Sequence, residues 1–269
     1  MSPRKIAFIN EKGGTCKTTL AVNIAAYLAL KKGMRVLLVD MDTQGHAGKS
    51  LGLDVRSLAP NVFHLLSDPK VRFADVVQPT AIDKLFVIPS YKEMSEFPVV
   101  VAPDPRRAWR LADRLAAPEA QDYDAVIFDA PPSMGLTTFN ILVAATEVVI
   151  PVALTYLSLD GCAEVVETVR RVAEEHTRPD LYVSLVVPTL YRKTSLADEI
   201  LAKLQSYFPD RCAKSSLGMN VKIDEAQSHG QTIWEYAPWS RGAQMLQEVA
   251  EEVLGAAKKQ GAVSGRAVA

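Results

Sequence analysis

Cysteine is scarce in this chain of 269 residues: Cys16, Cys162 and Cys212 stand far apart, and no two form a Cys-x-x-Cys pair. An odd, scattered set argues against a disulfide framework and fits a reducing compartment. It also supplies no thiolate cluster for zinc or an iron–sulfur centre. Long apolar runs are missing too, none approaching the roughly 18–20 residues that span a bilayer. No apolar segment with a small-residue cleavage site opens the sequence, so the expected location is the cytoplasm. Neither sign of charge dominates: 30 Lys+Arg against 31 Asp+Glu leave a formal net charge of −1. Any binding to nucleic acid must therefore use a local basic patch rather than a global field. Repeats and a domain linker are absent as well. Residues 1–257 read as one domain, and the Gly/Ala/Ser-rich stretch 258–269 as a tail expected to be disordered.

What is present is a globular composition, 48% hydrophobic and 23% charged, with short apolar runs alternating with helical periodicity. Strands are expected at Lys5–Ile9, Arg35–Val39, Leu85–Ile88, Ala125–Phe128, Val148–Val152 and Tyr182–Val187. Most are continuously apolar, as parallel strands covered on both faces should be. Helices are expected at Lys17–Lys32, around Asn61–Ser67, and at Arg106–Ala117, Thr137–Ala145, Leu159–Glu175, Leu196–Tyr207 and Ser240–Ala257. This alternation predicts an α/β fold: a doubly wound, mostly parallel central sheet with helices on both faces. In such a sheet the ligand crevice lies at the carboxyl ends of the strands, so the polar residues that end them are the candidates.

The first strand runs into Asn10–Thr19, N-E-K-G-G-T-C-K-T-T, and then into an amphipathic helix. Glycines let backbone N–H groups approach phosphates, a helix N-terminus adds positive potential, and a hydroxyl beside the lysine suits Mg²⁺. Two features are unusual: Lys12 precedes the glycines, and Cys16 stands before Lys17 where a phosphate loop normally has glycine. The second strand ends in Asp40-Met41-Asp42-Thr43-Gln44-Gly45, two carboxylates suited to positioning water or metal, although either could simply cap a turn. The Ala125–Phe128 strand ends in Asp129-Ala130-Pro131-Pro132-Ser133, and an acid there is the usual second half of a P-loop site.

These motifs together, K-G-G-x-x-K-T-T, V-D-x-D-x-Q-G and D-x-P-P-S, resemble the deviant Walker-A ATPases of the ParA/MinD family. Pro151, Gly161, the element Glu225–Gly230 and the element Tyr236–Ala243 extend the resemblance over nearly the whole chain, and it looks most like the partition (ParA/Soj) branch. The resemblance implies a single P-loop ATPase domain (deviant Walker A) that takes ATP and Mg²⁺. Gly13, Gly14, Thr15, Cys16, Lys17, Thr18 and Thr19 would wrap the phosphates, with Lys17 on the β- and γ-phosphates. Thr18 would ligate the metal, with Asp40 and Asp129 nearby, and Asp42 would position the attacking water. Lys12 would reach the partner's nucleotide across an ATP-sandwiched homodimer. The resemblance further implies non-specific DNA binding, a nucleoid location, slow hydrolysis and a ParB-like or cargo-adaptor partner. Arg192, Lys193 and Lys222 are the first candidates for DNA contact, with Arg241 and Lys214 behind them.

Cys16, Thr43 and His46 depart from the family pattern. For Cys16 three readings stand open: a side chain small enough to be tolerated, weakened ATP binding or hydrolysis, or a thiolate activated by the helix N-terminus and Lys17. His46, His64, His176 and His229 lack metal spacing and are expected to be structural or solvated, and Cys162 and Cys212 to be packing residues. Among rival readings, a MinD-like membrane-cycling ATPase needs an amphipathic C-terminal helix. The sequence K-K-Q-G-A-V-S-G-R-A-V-A offers no bulky apolar residue to insert, so no membrane partner is expected. An electron-transfer relative is disfavoured by the cysteine inventory, and a nucleotide-binding scaffold with little hydrolysis is supported by Cys16 alone.

Overall fold

The computed structural model describes residues 2–155 and 158–256. The 258–269 tail, the end of the last expected helix at Ala257, and Tyr156 and Leu157 lie outside the described residues. Among the described residues eight strands form one sheet: β1 (Arg4–Phe8), β2 (Val36–Asp40), β3 (Gln78–Pro79), β4 (Leu85–Ile88), β5 (Ala125–Asp129), β6 (Glu147–Ala153), β7 (Tyr182–Tyr191) and β8 (Leu217–Gly218). Their order is β3-β4-β2-β5-β1-β6-β7-β8. Every pairing is parallel except β3 with β4. The helices are α1 (Lys17–Lys32), α2 (His46–Ser50), α3 (Val62–Ser67), α4 (Phe73–Val76), α5 (Phe97–Val100) and α6 (Arg110–Arg114) in the first half. The second half holds α7 (Leu136–Ala144), α8 (Ser158–Glu175), α9 (Ser195–Tyr207), α10 (Val221–Ser228), α11 (Ile233–Tyr236) and α12 (Arg241–Ala256).

The doubly wound sheet is as the sequence predicts, and the strands' near-continuous apolar character has a direct cause. Alternate residues feed two separate cores. Ala7, Leu37, Val39, Val126, Phe128 and Ile150 pack under α3, α5, α6, α7, α8 and α9. Ile6, Phe8, Val36, Leu38, Ile127 and Val149 pack under α1, α10, α11 and α12. Helix α1 is buried at Lys17 and from Leu20 to Ala29, with almost no polar face, because it is enclosed by the sheet, α11 and α12. Gly33, at φ 66°, ends it by returning its N–H to the Ala29 carbonyl while the Met34 N–H returns to Leu28, and Lys31 and Lys32 complement the last turn.

Where the structure departs from the sequence expectation, the elements are short. Strands β3 and β8 have two residues each and carry no periodicity to read. The helix expected over Arg106–Ala117 divides into a 3₁₀ turn at Arg107–Trp109 and α6. Beyond α6, Ala116 and Ala117 bond back only three residues, to Asp113 and Arg114, so the chain tightens before Pro118. Helices α2, α4, α5, α10 and α11 have at most eight residues each and were not expected.

Candidate functional site

Strand β1 lies between β5 and β6, and β5 also pairs with β2. The carboxyl ends of these four strands therefore open into one crevice, where Asp40 and Asp129 face each other in register as the last residues of β2 and β5. The loop 10–16 enters this crevice. Asn10 anchors it: its amide donates to the Pro151 carbonyl of β6 at 2.6 Å, and its Oδ1 accepts the Lys12 N–H at 2.9 Å. A Cβ built on Gly13 or Gly14 would meet no atom within 4 Å, so the inner wall of the loop is backbone facing open space. That is the room a phosphate chain needs next to N–H donors. Thr15 is buried, and its hydroxyl donates to the Lys12 carbonyl at 3.3 Å.

Cys16 adopts φ 67°, ψ 25° as the residue before α1. This is the left-handed region, which costs an L-residue about 1–2 kcal/mol and explains why glycine suits the position. Its side chain is partly buried against the apolar core that holds α1. Burial and Asp224 push the thiol up to about 11, against a smaller downward pull from Thr189 and Lys17. The activated-thiolate reading is thereby corrected. The low-dielectric surroundings outweigh the helix N-terminus and the lysine, and the thiol is protonated at neutral pH.

Lys17 is 7% exposed and donates to the Lys12 carbonyl at 3.1 Å. Burial lowers its pKa, while Asp129 and Asp42 raise it, so the three groups share one electrostatic environment. Asp129 is fully buried, and among the described residues neither of its carboxylate oxygens has a hydrogen-bond partner. Burial, followed by the Asp42 charge, pushes it up to about 7, although Thr18 and Lys17 pull the other way. A buried carboxylate left unsatisfied is costly unless something cationic arrives to meet it. Asp129 and the neighbouring Thr18 thus fit a divalent cation carried by a nucleotide. Among the described residues no group of three or more His, Cys, Asp or Glu forms a cage. Mg²⁺ does not need one, since it binds through one or two protein ligands, phosphates and water.

Asp40 is equally buried but occupied. Its Oδ1 accepts the Asp42 N–H at 3.0 Å, and its Oδ2 accepts the N–H groups of Ala47 at 3.0 Å and Gly48 at 3.4 Å. Burial and Asp129 raise its pKa, partly offset by those N–H donors. Asp42 is half-buried, and its Oδ1 accepts the Gln44 N–H at 3.0 Å. The turn closes on Gly45 at φ 62°, where a Cβ would lie 2.4 Å from the Ser90 carbonyl oxygen; only glycine fits. His46 is exposed beyond it. Lys12 extends to the Thr155 hydroxyl at 3.1 Å, beyond β6.

The crevice therefore brings together Lys12, Lys17, Thr18, Asp40, Asp42 and Asp129. It does not include Arg192, Lys193 and Lys222, which are exposed on a separate surface. Arg192 Nε sits 2.9 Å from Met219 Sδ, and Lys222 pairs with Glu225 at 2.6 Å. Four residues of the site went unassigned from sequence. Asn10 borders the motif and was within reach, but Thr155, Thr189 and Gln227 carry no local signal. The Thr189 hydroxyl donates to the Thr15 carbonyl at 3.2 Å, and the Gln227 amide donates to the Thr19 hydroxyl at 2.9 Å. The remaining histidines are structural or at the surface: His64 completes the α3 capping box with Asn61, and His229 stacks on Tyr236. Cys162 is buried, with its thiol pushed up to about 12.

A strand, a glycine-bearing loop, a lysine-led helix and an acid on the adjacent parallel strand define the class: a P-loop nucleoside triphosphatase, with an additional lysine ahead of the glycines. A family model described as an AAA domain matches residues 3–183. The chain is 39% identical over 249 residues to the sporulation initiation inhibitor protein Soj of Bacillus subtilis, covering 92% of this chain and 97% of that protein. It is 37% identical over 253 residues to the chromosome-partitioning ATPase Soj of Treponema pallidum, covering 93% and 97%. Among solved structures, the cobyrinic acid a,c-diamide synthase of Mycobacterium smegmatis with an ATP analogue and magnesium superposes with a TM-score of 0.82 at 29% identity, covering 96% of both chains. The chain belongs to the ParA/Soj-type family of partition ATPases.

Proposed function

We propose that this chain is an Mg²⁺-dependent ATPase whose ATP-bound form dimerises, binds DNA without sequence preference, and segregates or positions a DNA or protein cargo. The observation that carries the reading is the crevice itself. Lys12 stands ahead of the glycine pair, and Lys17 shares its surroundings with a buried Asp129 whose carboxylate oxygens have no hydrogen-bond partner among the described residues. Under this reading the backbone from Gly13 to Thr19 wraps the phosphates, and Lys17 exchanges the Lys12 carbonyl for phosphate oxygens. Thr18 and Asp129 hold Mg²⁺, which when bound neutralises charge on the phosphates. Asp42 orients the attacking water. Asp40, with three backbone N–H groups already on its carboxylate, holds the loop that presents Asp42. Lys12 leaves Thr155 and reaches the partner's nucleotide across the dimer.

Catalysis here is positioning and charge neutralisation, and turnover is slow because the output is the lifetime of a state. A ParB-like or cargo-adaptor protein shortens that lifetime. Arg192, Lys193 and Lys222 meet DNA phosphates outside the crevice, which places the dimer on the nucleoid in the cytoplasm. Among the described residues no helix is long and apolar enough to cross a membrane.

The test combines size analysis with DNA co-sedimentation in ADP, ATP and a non-hydrolysable analogue, repeated with liposomes. Dimers and DNA binding only with ATP or the analogue are expected. Monomers in every nucleotide state would overturn the dimer switch, and liposome binding in place of DNA binding would favour a membrane-cycling relative.

A further inference from the structure

Trp239 is 82% exposed, the most exposed large apolar side chain among the described residues. It sits in the short loop between α11 and α12, after Pro238, in a chain with only three tryptophans. The other two are covered: Trp234 is buried and hydrogen-bonded to Asn23, and Trp109 packs edge-on against His176. Two further apolar side chains project from the segment before and at the start of α10, Met219 at 53% and Val221 at 69% exposure. The fold brings these segments together. Asn220, between Met219 and Val221, lies so close to Gly242 that a Cβ there would be 2.8 Å from its Oδ1, which sets the start of α12 against the start of α10. Arg192, after β7, rests on Met219.

The three segments 192–193, 219–222 and 239–241 carry Arg192, Lys193, Lys222 and Arg241 and no acidic residue. Lys222 is paired with Glu225 and Arg241 lies 3.8 Å from Glu248, while Asp224 follows Lys222 by two residues and Asp198 accepts the Tyr191 hydroxyl. Among the described residues Arg192 and Lys193 form no ion pair, so this surface keeps uncompensated positive charge beside an exposed aromatic. Phosphate-binding charge surrounding an apolar projection is the arrangement by which proteins grip duplex DNA while inserting a side chain against the bases.

We propose that Trp239, supported by Met219 and Val221, enters a groove of duplex DNA, while Arg192, Lys193, Lys222 and Arg241 neutralise the flanking phosphates. The inference rests on the DNA-binding reading above and adds a contact that is not electrostatic. A tryptophan wedged at a base step, without base-specific hydrogen bonds, suits sequence-tolerant binding, because partial unstacking exposes an apolar face on any base. Its contribution should be far less sensitive to salt than that of the basic residues, which act by counterion release.

The experiment uses the full chain with a non-hydrolysable ATP analogue and a random-sequence duplex, over a salt series. Trp239→Ala should weaken DNA binding about ten-fold at each salt concentration, with the slope of log K against log salt unchanged. Trp239→Phe should restore most of the loss. Tryptophan emission of the wild type should be quenched on DNA addition, and that quench should vanish in Trp239→Phe. Equal affinity and no quench would overturn the inference and leave the DNA-binding reading standing. Absence of DNA binding by the wild type would overturn both. An emission blue-shift on anionic phosphatidylglycerol vesicles, with no response to DNA, would assign the patch to a membrane surface instead.

Discussion

The nucleotide crevice and the basic surface around α10 use charge in opposite ways. In the crevice Lys17, Asp40 and Asp129 are buried, and their environments shift their pKa values. On the basic surface Lys222 is half exposed beside Glu225, and Arg192 and Lys193 stand in solvent. Buried charges are strong, specific and few, since each must be met by a partner or by the ligand. Exposed charges are individually weak and act through their number. The crevice is organised around one ligand, whereas the surface tolerates many.

That contrast sets the scale of the expected effects. Lys17→Ala should have the largest, abolishing measurable ATP binding in isothermal titration and cutting hydrolysis by about 100-fold or more, in line with loss of a preorganised cation. A variant that still binds ATP normally would show that the crevice works like the surface, by summed weak contacts. Lys12→Ala should spare ATP affinity yet remove ATP-dependent dimers in light scattering, because the bonds Lys12 makes inside the loop are made by its backbone, while its side chain extends away to Thr155. Persisting dimers would refute its role across the interface. Charge reversal at Arg192 or Lys222 should be milder. Each should reduce the salt slope of DNA binding by about one without touching ATP affinity. An unchanged slope would remove that residue from the DNA surface.

Smaller effects probe the interior. Asp129→Asn, in nucleotide-free protein, should raise the melting temperature by about 4 °C while lowering hydrolysis, because it removes an unpaired buried carboxylate. A lower melting temperature would mean that Asp129 has a partner in solution. Cys16→Gly should be nearly neutral, within about 1 kcal/mol in urea unfolding, as relief at φ 67° offsets the lost packing of the thiol. With the Cys16 thiol pushed up to about 11, its alkylation at pH 8 should be slow in folded protein and accelerate only as pH climbs toward that value. Rapid modification at pH 7 would restore the thiolate reading.

The long elements were legible because each carries its own pattern. Lys17–Lys32 and Leu85–Ile88 were expected with the bounds they have. Ala125–Phe128 lacked only Asp129, whose polarity masks its place as the last residue of β5. The loop from Asn10 to Thr19 was legible through its spacing. Helix α10 was not, because its residues are mixed and its place depends on contacts with Thr19 and Gly52. A Cβ on Gly230, just past α10, would lie 2.8 Å from the Gly52 Cα. The element Glu225–Gly230, read in the sequence only as part of the resemblance, is therefore a packing requirement whose helix no periodicity announces.

By itself, the sequence determined the alternation of strand and helix and the residues offered to a phosphate, since periodicity and a ten-residue loop are local properties. It could not decide which of two equally spaced acids is free. Asp40 is satisfied by backbone N–H groups and Asp129 by none, a difference that arises only when α2 folds back over β2. Nor could it decide the protonation of the Cys16 thiol. That depended on the burial the folded core imposes, with Asp224 and Thr189, more than 170 residues away, acting on the thiol in opposite directions.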